Sequence, residues 1–132
     1  TCVAWGEKGV LIMGKSGQGK SGLALELMAM GCVLVADDRV KLKAVDGRLL
    51  ASCPETLAGL IEARGVGILQ AAFQAQADVV LAVDLNQQET ARMPERRVVT
   101  HLGCDVPLIY RYDGPHFAAA ILQILKTGWS NR

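Results

Sequence analysis

Blocks of consecutive apolar residues, broken by short polar or glycine-rich interruptions, run through most of this chain. Cys2-Val3-Ala4-Trp5 predicts a first strand. Gly6-Glu7-Lys8-Gly9 predicts a turn into a second strand, Val10-Leu11-Ile12-Met13. The stretch Leu23-Ala24-Leu25-Glu26-Leu27-Met28 predicts a helix, and Gly31 stands where a helix stops, because glycine enters the left-handed conformation freely. Cys32-Val33-Leu34-Val35-Ala36 predicts a buried strand that ends on Asp37 and Asp38. Strand, loop, helix and strand read as a βαβ unit, an arrangement that puts ligands at the carboxyl ends of its strands.

Alternation then takes over. Val40-Lys41-Leu42-Lys43-Ala44-Val45 and Arg48-Leu49-Leu50-Ala51 flank Asp46-Gly47, the pattern of a two-residue hairpin with Lys41 and Lys43 on a solvated face. Pro54-Glu55-Thr56-Leu57 predicts a short helical turn or loop. Glu62-Ala63-Arg64-Gly65-Val66-Gly67-Ile68 mixes charges with two close glycines and predicts a shaped loop rather than a regular element. Val79-Val80-Leu81-Ala82-Val83-Asp84-Leu85 predicts a central strand, and the polar residues 86–95 a loop. Short strands are expected at Val98-Val99 and over residues 106–110, with Leu102-Gly103-Cys104 between them. A helix is expected over residues 116–125, stopped by Gly128.

The succession predicts an α/β fold with a mixed central sheet and flanking helices. Its length of 132 residues allows one domain, 1–132, with a proper core. An apolar share of 51% and a charged share of 20% are those of an ordinary soluble globule. A net charge of +1 offers no field that calls for nucleic acid or a membrane surface. No apolar stretch approaches a membrane span, and no leader is visible. The four cysteines (Cys2, Cys32, Cys53, Cys104) are far apart, without a C-x-x-C pair, and read as reduced thiols of a cytoplasmic protein.

Candidate chemistry sits between the second strand and the first helix. Gly14-Lys15-Ser16-Gly17-Gln18-Gly19-Lys20-Ser21 fits G-x-x-x-x-G-K-[ST], the phosphate-cradling (Walker A, or P-loop) pattern, in its strand–loop–helix setting. Backbone N–H groups and the helix start would hold phosphate oxygens, Lys20 would reach the β- and γ-phosphates, and the Ser21 hydroxyl would take one magnesium position. The competing reading is a plain glycine-rich turn. Asp37 and Asp38, one strand later, are candidates for metal binding and for taking a proton from an attacking hydroxyl. Strand neighbours point to opposite faces, so the two are expected to differ in role. The plainer reading of either is a turn or helix cap.

The glycine loop, the string Leu34-Val35-Ala36-Asp37-Asp38 and the string Glu62-Ala63-Arg64-Gly65-Val66-Gly67-Ile68, which fits E-x-R-G-x-G-I, together resemble the catalytic domain of HPr kinase/phosphorylase. The resemblance covers nearly the whole chain in order, through Arg92-Met93-Pro94 and residues 106–121, and the length resembles the family's short form. It implies a bifunctional enzyme. With ATP and magnesium it would phosphorylate a serine of HPr, a phosphocarrier of the sugar phosphotransferase system. In reverse, inorganic phosphate would attack phosphoserine and release pyrophosphate. By the same resemblance Asp37 is the proton acceptor and donor, Lys20 the loop lysine, Ser21 and Glu62 magnesium ligands, and Arg92 a catalytic arginine. Asp38 is a further acid for catalysis or metal. Gly65 and Gly67 belong to the motif both directions require, and residues 106–114 to a region associated with dephosphorylation. Longer relatives work as rings, so the resemblance implies a homo-oligomer.

Physical chemistry supports these roles: Glu62 is a hard oxygen donor, and Arg64 or Arg92 would offset charge on a transferring phosphoryl group. A solvated surface arginine is the plainer alternative. The chain also departs from the family. No histidine precedes Gly14, where relatives carry a catalytic one, and Gly22 stands where many carry an acid. Residues 106–112 differ from the usual wording, which makes the kinase direction firmer than the reverse. His101 and His116 read as satisfied surface or loop residues. A small-molecule kinase on the same loop lacks its usual arginine-rich lid here, and a nucleotide-sensing module with little turnover is the remaining alternative.

Overall fold

The computed structural model describes residues 1–130. The two opening apolar blocks form strands β1 (Cys2–Trp5) and β2 (Lys8–Met13), joined by a tight turn and paired antiparallel. Helix α1 (Lys20–Ala29) follows, then β3 (Val33–Ala36), the hairpin β4 (Lys41–Val45) and β5 (Arg48–Ser52), and a 3-10 turn over Glu55–Leu57. A second hairpin, β6 (Leu60–Ala63) and β7 (Gly67–Gln70), precedes the long strand β8 (Gln76–Gln88). Strands β9 (Arg97–His101) and β10 (Cys104–Arg111) and helix α2 (Phe117–Thr127) complete the chain.

The main sheet is eight-stranded and mixed, in the order β3-β1-β2-β8-β10-β9, with β5 pairing the start of β8 and β4 outside it. β1 lies antiparallel between β2 and β3, so the expected βαβ unit is split by a third strand. Its logic survives, because β2 and β3 still run the same way. β8 is parallel to β2, and β10 to β8.

Alternating side chains sort β1, β2, β3 and β8 onto two apolar layers. Val3, Val10, Ile12, Leu34, Leu81 and Val83 pack with Leu27 of α1 and Ile121 and Leu125 of α2. Ala4, Leu11, Val35, Ala51, Val79, Ala82 and Val106 pack on the opposite face, where no helix contributes. Both helices thus cover one face, rather than flanking the sheet on two. Full burial of a residue such as Leu27 or Ile12 contributes about 2–3 kcal/mol, which fixes α1 against the sheet. No helix among the described residues is long and apolar enough to cross a membrane.

Two expectations need correction. Residues 62–68 are not an irregular loop. Glu62 pairs with Ile68 in the β6–β7 hairpin, and only the turn at Arg64-Gly65-Val66 is free of pairing. Local pattern hides β7 because it is exposed along its whole length, so no alternation marks it. Likewise the polar Asn86-Gln87-Gln88 are not loop but the end of β8, where the Glu89 N–H still bonds the Arg111 carbonyl. These residues have left the core, so backbone pairing holds them without apolar burial.

Candidate functional site

Because β2, β3, β8 and β10 share a direction, their carboxyl ends share one edge of the sheet. That edge gathers the 14–21 loop, Asp37, Asn86 and Arg111. The loop leaves Met13 and enters α1 directly at Lys20, with Gly17 at φ 89° and Gly19 at φ 95°, backbone geometry that other residues take only under strain. Gly19 caps α1 without any side-chain hydrogen bond, which leaves the first-turn N–H groups without a side-chain acceptor. The Lys20 ammonium donates to the Gly14 carbonyl, so it is folded back across the loop.

Two neighbouring strand ends hold the loop in place. Asn86 Oδ1 accepts the Lys15 N–H at 2.9 Å, and the Asn86 N–H in turn bonds Asp84 Oδ1 at 2.9 Å. Arg111 donates to Gln18 Oε1 at 3.1 Å and to Asp113 Oδ1 at 2.8 Å. Sequence reasoning missed both. By local pattern Asn86 opens a polar loop and Arg111 is one residue of a short strand segment; the available signal is that each directly follows or ends an apolar strand at the ligand edge.

The two acids at the end of β3 have opposite surroundings, as strand alternation requires. Asp37 is 8% exposed, whereas Asp38 is exposed to solvent. Asp37 Oδ1 accepts the Ser21 hydroxyl at 2.7 Å and the Thr1 hydroxyl at 3.0 Å, and Oδ2 accepts the Glu62 N–H at 2.9 Å. It is therefore Asp37, not Asp38, that meets the loop's serine. Glu62 engages through its backbone, and its side chain is exposed on β6. Cys53 is half-buried nearby, its thiol raised by burial and then by the negative charge of Asp37.

The β6–β7 turn brings Arg64 over the loop: a Cβ built on Gly17 would lie 4.0 Å from both terminal nitrogens of the Arg64 guanidinium. Gly65 (φ 83°) and Gly67 (φ 136°) shape that turn. Arg92 lies in the segment between β8 and β9, which leaves and returns at the same edge, and is exposed without an ion-pair or hydrogen-bond partner among the described residues. His116 is an exposed turn residue as expected, whereas His101 is not a plainly satisfied one. His101 is within β9 with Nε2 buried and unpartnered, and His116 caps α2 with its ring 5.2 Å from that of Tyr112.

Among the described residues no cluster of three or more His, Cys, Asp or Glu side chains is arranged to cage a metal ion. The paired Ser21 hydroxyl and Asp37 carboxylate instead suit magnesium, a hard cation that usually keeps several waters and takes one or two protein oxygens beside phosphate. The residues present fit that ion.

A mixed α/β domain with a glycine loop, a hydroxyl–carboxylate pair and an arginine gathered on one sheet edge defines the class. The family follows from comparison. The family model described as the HPr serine kinase C-terminal domain matches residues 1–105, and the chain belongs to that family. It is 41% identical over 96 residues to the HPr kinase/phosphorylase of Alkaliphilus metalliredigens, a match covering 67% of this chain and 31% of that protein. The Brevibacillus brevis HPr kinase/phosphorylase is 44% identical over the same length, with the same shares covered. The chain thus matches about a third of the length of these curated relatives. The solved Hpr(Ser) kinase/phosphatase from Coxiella burnetii superposes with a TM-score of 0.78 at 29% identity, covering 95% of this chain and 90% of that one.

Proposed function

We propose that this domain is a P-loop serine kinase that uses ATP and magnesium to phosphorylate HPr or an HPr-like phosphocarrier, with phosphorolysis of the product as its reverse reaction. The observation that carries the reading is the 2.7 Å bond between Ser21 and Asp37, made while the Glu62 N–H fixes the other carboxylate oxygen. A P-loop hydroxyl and a strand-end acid are thereby held together, as phosphoryl transfer needs.

The 14–21 loop receives the nucleotide's phosphates, and Lys20 swings from the Gly14 carbonyl to the β- and γ-oxygens. Asp37 takes the proton of the attacking serine hydroxyl and returns it in the reverse direction. Arg64 and Arg92 offset charge on the transferring group. Ser21 would hold magnesium through its hydroxyl beside the Asp37 carboxylate, with the exposed Glu62 side chain as a further oxygen donor, and the ion when bound neutralises charge on the phosphate oxygens. Gly65 and Gly67 keep the motif turn that sets Arg64 above Gly17. The relatives' names support the carrier as substrate.

The test is transfer of labelled γ-phosphate to a purified HPr-type carrier. Serine phosphorylation is expected, lowered by about 10²–10⁴-fold in Asp37→Asn and abolished in Lys20→Ala. Nucleotide binding with no transfer to any carrier would defeat the reading.

A further inference from the structure

The segment that leaves β8 and returns as β9 is closed at its two ends by an ion pair. Arg97 donates to Glu89 Oε1 at 2.5 Å, while Glu89 Oε2 accepts the Thr90 and Ala91 N–H groups at 3.0 and 3.1 Å. The Glu89 side chain is only 9% exposed, and the Arg97 guanidinium lies 4.0 Å from the centre of the Tyr110 ring. The preceding residue, Arg96, lies 4.3 Å from the centre of the Trp129 ring and donates to the Ser130 carbonyl at 3.1 Å. An isolated surface ion pair holds little. This one is braced on both members.

The closure is tied to the strand ends that hold the glycine loop. Glu89 follows closely on Asn86, whose side chain accepts the Lys15 N–H. The Glu89 N–H donates at 2.8 Å to the carbonyl of Arg111, the residue whose side chain bonds Gln18. Residues 89–97 contain three arginines, and Arg96 and Arg97 both serve the closure. Arg92 alone is exposed with no hydrogen bond or ion pair among the described residues, so it is the one left to meet a ligand. On an open tether its guanidinium would sample many positions. Pinning both ends of a short segment removes most of that freedom, which is what an oriented charge requires.

We infer that Glu89 and Arg97 are positioning residues, their ion pair closing the frame that sets Arg92 against the transferring phosphoryl group. The inference rests on the proposed transfer reaction and adds the device that orients its arginine.

A double-mutant cycle in the carrier-phosphorylation assay tests it, run well below the melting temperature of each variant. Arg92→Ala should lower kcat by about 10²–10³-fold. Glu89→Ala and Arg97→Leu should each lower kcat by about 10–10²-fold, while KM for ATP stays within about twofold. Once Arg92 is gone its frame has nothing to orient, so Glu89→Ala combined with Arg92→Ala should be no slower than Arg92→Ala alone. A general loosening of the domain would instead multiply the two losses and raise KM for ATP, and either result overturns the assignment. So does an unchanged kcat in Glu89→Ala or in Arg92→Ala. A wild-type protein that transfers phosphate to no carrier removes the kinase reading, and this inference with it.

Discussion

The Glu62 N–H donates to Asp37 Oδ2 at 2.9 Å, and through that bond a hairpin outside the main sheet is fastened to the acid that ends β3. The same hairpin carries Arg64 to Gly17. Ile61 of the hairpin is buried in the core with Leu27, and the polar bonds at the site complete its anchoring.

Replacing the acid should show this in stability as well as in catalysis. Asp37→Ala leaves the Ser21 hydroxyl and the Glu62 N–H without their acceptor in a partly buried setting, and the Thr1 hydroxyl with only the Asp37 backbone carbonyl at 3.3 Å. The expected loss is about 2–3 kcal/mol of unfolding free energy, read from a urea titration. A loss under about 0.5 kcal/mol would mean the three bonds are not what holds the acid and hairpin together.

Gly31 tests how α1 hands over to β3. It has φ 111°, and a Cβ there would come within 2.9 Å of the Trp5 ring, over which the Lys126 ammonium sits at 4.7 Å. Gly31→Ala combines backbone strain with displacement of that ring and should cost about 2 kcal/mol. Gly47→Ala, at φ 77° with open space around it, brings strain alone and should cost about 1 kcal/mol. Paired thermal melts would reveal the order, and a reversed order contradicts the contact with Trp5.

Glu89 gives a pH signature of its own. The hydrogen bond from Arg97, helped by the Ala91 and Thr90 N–H groups, holds its carboxyl below the usual value of 4.5. A carboxyl depressed in the folded state stabilises the protein above its unfolded value, and that stabilisation fades as pH falls through the lower folded value. Glu89→Gln should therefore melt below wild type at neutral pH, with the gap closing as the pH drops under about 4.5. A gap independent of pH would place the effect in packing rather than charge.

Much of this arrangement could be read from residue order. The Asp46-Gly47 hairpin forms with both residues at positive φ, as its two-residue turn demands, and α2 stops at Gly128 as expected. The glycine loop and the acids of β3 reach the same edge because strand direction follows from local turns and one crossover helix. What stayed hidden depends on distant partners. Nothing in Cys2-Val3-Ala4-Trp5 says that it lies between β2 and β3, because pairing on its second side is decided by a strand about thirty residues away. Asn86 and Arg111 were obscure for the same reason: a polar residue at a strand end becomes informative only once its neighbour across the sheet is known.

The surroundings of Asp37 draw on residues 1, 21 and 62, three places that meet only when β1, α1 and the β6–β7 hairpin have all docked. A half-assembled chain can possess the glycine loop yet still lack the acid's full set of donors. Competence at this corner thus marks the completion of folding, and a partly unfolded population would hold a loop whose acid is no longer in position.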